Sequence, residues 1–104
     1  MAKYLLAFHG GGVPETEEEQ AAVMAAWGAW MESLGAALTD PGNAFGNSTT
    51  VQSDGSATAG GGANPATGYS LLEADSLDAA LVLAKGCPIL EAGGSVEVAE
   101  TIDM

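Results

Sequence analysis

Residues 3–9 form a continuous apolar run, with Tyr4, Leu5, Leu6, Ala7 and Phe8 between Lys3 and His9, closed by Gly10, Gly11 and Gly12. Continuous rather than alternating hydrophobicity predicts a strand central in its sheet, and the glycines with Pro14 end the element. Across 17–34 the period changes: Met24, Trp27, Met31 and Leu34 recur at helical spacing and form the expected core face. Thr16 and Glu19 make a capping box for this helix. Glu17, Glu18 and Glu19 sit where its dipole favours negative charge, and Gly35 is the expected left-handed stop.

The opposite face of that helix is unusual. Residues 21–31 carry no charged or strongly polar side chain in any direction. A helix that is apolar all round is buried all round. One sheet in a small protein covers only one side, so a second subunit is expected over the rest, with Trp30 and Val23 as candidate contacts. A homodimer follows as the expected assembly.

Residues 36–68 are polar and glycine-rich. Ala37 and Leu38 begin a possible strand, and Asp40, Pro41 and Gly42 read as a turn. Residues 48–51 and 57–59 pair as a ragged hairpin about Asp54 and Gly55, a favourable turn dipeptide. Gly60, Gly61 and Gly62, then Asn64 and Pro65, mark a connection. Residues 69–74 are the next strand. Asp75 or Ser76 caps a helix whose expected buried face is Leu77, Ala80, Leu81 and Ala84, with Gly86 as left-handed cap and Pro88 blocking continuation. Gly93 and Gly94 turn into a last strand in which Val96 and Val98 alternate with Glu97, one buried face and one wet.

The order is strand, helix, strand or hairpin, strand, helix, strand, all within a single domain spanning residues 1–104. It predicts an α+β, ferredoxin-like sandwich of βαββαβ type: an antiparallel sheet with two helices on one face. The other sheet face lacks a cover. Pairing two sheets face to face, or into a barrel, would supply it, which is a second argument for the homodimer.

Charge removes whole classes of partner. The chain of 104 residues carries 14 acids against Lys3 and Lys85, a net charge of −12. Two basic side chains displace few counterions from a phosphate backbone, so no nucleic acid is expected as partner. An anionic membrane surface repels the chain for the same reason, and no apolar run reaches spanning length. The run after Lys3 is too short for a secretory core, and Cys87 is the only cysteine, so no intramolecular disulfide forms. A cytoplasmic, acidic protein is the expectation.

An ordered set of segments resembles one family. Residues 3–6, the helix end WGAWMESLG at 27–35, Asp54 with Gly55, the block GYSLLEADSLDAA at 68–80 and the strand GSVEV at 94–98 are similar to the YCII-related proteins. The likeness is strongest to the branch named for an Asp-Gly-Pro-Phe motif, and it runs over essentially the full length. It implies a ferredoxin-like fold that assembles as a dimeric α+β barrel, in agreement with the reading of the residues. Some members are described as possible enzymes with a His-Asp pair, the histidine on the first helix. Here Ser56 and Ala57 stand in place of Pro-Phe, and the first helix has no histidine, so no catalytic residue is carried over.

His9 is the only histidine, at a strand end beside three glycines that allow a ligand or backbone to approach. Its ordinary titration range suits acid–base work. The plainer reading is a half-buried ring bonded to backbone. Glu73 is the candidate carboxylate partner if the two strands are neighbours, and otherwise a wet-face residue; Asp75 is accounted for by capping. Trp27 and Trp30 could stack a flat ligand, but aromatics at helical spacing more often form core or interface. The glycine triplets lack the lysine and spacing of phosphate loops. Consecutive Glu17, Glu18 and Glu19 point in different directions, so no metal site and no cofactor are expected. Two functions follow: a small-molecule-binding or accessory module, or a small enzyme using His9 with a nearby carboxylate for proton transfer or hydrolysis.

Overall fold

The computed structural model describes residues 2–12 and 14–103. Strand β1 (Ala2–His9) is followed by helix α1 (Glu17–Leu34), strand β2 (Leu38–Ala44), the hairpin strands β3 (Thr49–Val51) and β4 (Ala57–Ala59), strand β5 (Ala66–Ala74), helix α2 (Leu77–Ala84) and strand β6 (Ser95–Glu100). The main sheet has the order β2-β5-β1-β6, and every pairing in it is antiparallel. This is an α+β arrangement compatible with the ferredoxin-like sandwich. β1 is central, as its unbroken apolar run requires.

The pleat sorts the side chains. Tyr4, Leu6 and Phe8 on β1 and Ser70, Leu72 and Ala74 on β5 are buried on one face, where Trp30, Leu34, Ala80 and Ala84 of the helices meet them. Val96 and Val98 of β6 pack at the edge of this core. Ser70 is fully buried and satisfied: its hydroxyl donates to the Pro41 carbonyl at 2.7 Å. The other sheet face, bearing Leu5, Ala7, Tyr69 and Leu71, is only half-buried, and among the described residues no helix packs on it. The molecule is a plate 19 Å thick with a radius of gyration of 14.9 Å. A compact chain of this length would have a radius of about 13 Å. It is two layers with one side of the sheet left open.

α1 begins and ends where expected. Thr16 accepts from the Glu19 amide at 3.0 Å, while the Glu19 carboxylate accepts from the Glu15 amide one residue beyond the cap. Gly35 closes the helix at positive φ. The helix is turned about its axis from the expected orientation. Met24 is 68% exposed, whereas Trp30, expected at a subunit contact, is 6% exposed inside the core. The buried stripe is Trp27, Trp30, Met31 and Leu34, an i, i+3, i+4, i+7 set that brings both indoles inward. Phe8, Trp27 and Trp30 contact edge to face in all three pairings, with centroids 5.0, 5.6 and 6.2 Å apart. The Trp30 N–H also donates to the Leu83 carbonyl at 3.0 Å, tying α1 to the end of α2. These contacts outweigh the burial of one flexible methionine. Val23 remains partly exposed.

α2 departs in the same way. Ser76 is its cap, accepting from the Ala79 amide at 3.1 Å. Ala80 and Ala84 are buried as expected, but Leu77 and Leu81 face outward, and Ala79 and Leu83 complete the packed face. Small alanines let the helix approach the sheet closely, and Leu83 turns toward Trp30. Gly86 is not a left-handed cap; a Cβ there would come within 3.2 Å of the Trp30 ring, so the glycine makes room for the indole.

The turn expected at Asp40, Pro41 and Gly42 lies inside β2 as a bulge, where the register against β5 shifts. Asp40 accepts from the Gly42 amide at 2.8 Å, and Gly42 has φ +70°. A Cβ at Gly42 would overlap the Tyr69 carbonyl, so only glycine lets the bulge lie this close to β5. β3 and β4 pair as expected, with Asp54 accepting from the Ser56 amide and hydroxyl at the tip. Those two donors hold the Asp54 carboxyl below its ordinary range.

Candidate functional site

The bulge of β2 stands over the sheet on the helix side and leaves a hollow between itself and α1. The hollow has a volume of about 300 Å³. Its floor is Phe8 and Gly68, its inner wall Trp27 and Met31, its outer wall the segment from Pro41 to Ala44, and Ile89 closes one end. Each part has a local cause. Gly68 is buried with its missing side chain aimed at Asn43, Ala44 and Phe8, so a larger residue would fill the space. Gly42 lets the wall curl inward. The rotation of α1 puts the half-buried Trp27 indole on the cavity instead of at a packed seam.

A second hollow of about 330 Å³ adjoins the first. It lies under the first half of α1, where Val23 and Ala26 face Gly10, Gly11, Gly12, Pro88, Glu91 and Ala92 rather than a packed sheet. Trp27 and Ile89 line both hollows. No charged residue among the described ones lines the first, and Glu91 is the one that lines the second.

His9 is elsewhere. It lies on the open face of the sheet, and neither hollow includes it. Its Nδ1 is 3.0 Å from the Asn64 carbonyl oxygen and its Nε2 is 3.2 Å from a Glu97 carboxylate oxygen. Both partners are acceptors when Glu97 is ionised, so only the doubly protonated ring donates to both. The side chain is 12% exposed. The ring thus stitches β1 to β6 and to the loop entering β5.

Glu73 does not reach His9. β1 and β5 are neighbours, but their register sets Glu73 opposite Lys3, whereas His9 lies opposite Ala66. Six residues of extended strand separate the positions, roughly 20 Å. The carboxylate beside His9 is Glu97, which the alternation in 95–100 marked only as wet-face. A diagonal pair across two antiparallel strands has no signal in the order of the residues, because it depends on register.

The remaining candidates are quiet. Cys87 is buried, and burial pushes its thiol up to about 11, against a weaker opposing hydrogen bond from the Ile89 backbone. It is an unreactive thiol at neutral pH. Among the described residues no three of His, Cys, Asp and Glu cluster as metal ligands, and no helix is long and apolar enough to cross a membrane. What sequence reasoning missed was the cavity itself, whose only advance sign was a glycine after Asp40 and Pro41.

Residues 4–104 match the family model of the YCII-related domain, essentially the whole chain. No curated protein matches the sequence.

Proposed function

This chain belongs to the YCII-related domain family, and from that premise we propose that it is a small-molecule-binding or accessory module whose ligand lies in the hollow beside Trp27. The observation that carries the reading is the cavity: about 300 Å³, largely apolar, with Trp27 and Met31 along one wall and Phe8 and Gly68 as its floor. That volume falls at the lower end of the range for small-ligand pockets, which are concave, mostly apolar and largely preformed. Its ligand is therefore small, about the size of one substituted ring.

Amide NMR during a screen of neutral aromatic fragments tests it. Shifts should cluster on Trp27, Met31, Asn43 and Gly68, and Trp27→Ala should abolish them while the fold is retained. Shifts clustering at His9 and Glu97, or no shifts at millimolar fragment, would overturn the reading. The enzyme reading ranks second. It draws on the 3.2 Å contact of His9 with Glu97, which takes the place of Glu73, but no described cavity brings a substrate to that pair.

The same proposal includes a homodimer in the cytoplasm. The unreactive lone thiol and the acidic surface are compatible with that compartment. The half-buried open face with Leu5, Ala7, Tyr69 and Leu71, on a plate 19 Å thick, is the surface a second copy would cover. Light scattering should give twice the chain mass at micromolar concentration, and Leu71→Lys should halve it. A monomeric parent chain would refute the assembly and leave the binding site untouched.

A further inference from the structure

The two hollows on either side of Trp27 differ in electrostatics, and the difference defines a ligand class. The first is ringed by Phe8, Trp27 and Met31 with no charged residue among those described. The second shares Trp27 and Ile89 with it, and Glu91 is the one charged residue among those described that lines it. Neither lysine lines either hollow: Lys3 pairs across the sheet with Glu73, and Lys85 caps α2. A bound carboxylate or phosphate would leave water for a region without a cation and within the field of a chain of net charge −12. A cation gains from the same field, from Glu91 and from the faces of the indole and phenyl rings.

We propose that the site takes a small apolar amine: a ring-sized hydrophobic body against Phe8, Trp27 and Met31, and an ammonium directed past Trp27 and Ile89 toward Glu91. This rests on the binding reading above and specifies its ligand. The polar and apolar ends have separate homes, so the pair of hollows orients the ligand as well as holding it. Anionic ring compounds are refused.

Three probes of nearly equal size and shape test the class: 2-phenylethylamine, 2-phenylethanol and phenylacetate. Their dissociation constants are measured at neutral pH by NMR titration, following the Trp27 indole N–H. The amine should bind more tightly than the alcohol, with phenylacetate weakest, and its advantage should shrink at high salt. Glu91→Gln should weaken the amine about two- to fivefold, the worth of an exposed ion pair, and leave the alcohol unchanged. Glu91 is exposed, so the variant is expected to fold as the parent does. Equal binding of amine and alcohol, or preference for phenylacetate, overturns the ligand class while the cavity reading stands. Failure of all three to move the Trp27 signal overturns both.

Discussion

Replacing Trp30 with alanine is expected to cost about 3–5 kcal/mol, enough to leave much of the chain unfolded at physiological temperature. Small domains have a few kcal/mol to spare, and a plate with one uncovered sheet face sits at the low end. The residue unites three parts of the molecule. Its ring meets Phe8 of the central strand and Trp27 of its own helix edge to face, and its N–H reaches the Leu83 carbonyl at 3.0 Å. Gly86 leaves no slack there, so alanine opens a void that α2 cannot move into without losing its own seat on the sheet. Leu83 keeps a backbone donor from Gly86, so most of the loss is packing rather than an orphaned carbonyl. Urea unfolding followed by circular dichroism measures it. Trp30→Phe should recover most of the loss, falling short by about 1–2 kcal/mol for the missing donor and smaller ring. A loss below about 1 kcal/mol for the alanine variant would show that the helix layer is held elsewhere.

Gly42→Ala is expected to be nearly as damaging from a single added carbon. The position combines φ +70° with a backbone oxygen where the new Cβ would be. Neither neighbour is a flexible side chain, so strand and bulge must part. The expected loss is at least about 2 kcal/mol, and the hydrogen bonds of Asn43 and Ala44 to β5 open first. The wall of the Trp27 cavity goes with them, so ligand shifts vanish even in molecules that remain folded. Gly46→Ala is the matched control: a Cβ there meets nothing within 4 Å, and stability should stay within about 0.5 kcal/mol. Thermal unfolding, with exchange of the Asn43 and Ala44 amides, distinguishes a local opening from a global one.

The fold was legible in the residues to the extent that local chemistry decided it. The cap at Thr16, the stop at Gly35, the hairpin about Asp54 and Gly55 and the central position of β1 each follow from cues within a few residues. Helix rotation was not legible. α1 between 21 and 31 and α2 between 79 and 84 are apolar in every direction, so period alone selects no face. The choice was made by shape: two indoles that fit together in one case and two alanines against a sheet in the other. The bulge in β2 has the composition of a turn, because Asp40, Pro41 and Gly42 bend the chain, but they do so without ending the strand. His9 and Glu97 met through register, which no short segment encodes.

The central strand carries one more consequence, for the order of folding. Leu6 lies opposite Ser70 on one side and Val98 on the other, so β1 must close loops of 64 and 92 residues to gain its two neighbours. Pairings of such separation form late and slowly, because the entropy of closing the loop is lost before any contact offsets it. Until residues 66–74 and 95–100 arrive, the most apolar strand of the molecule waits unpaired. The segment between them has its own work to do in that interval: helix α2, with Ser76 already capping it, can form on its own time scale and hold the last two strands of the sheet close enough to receive the first.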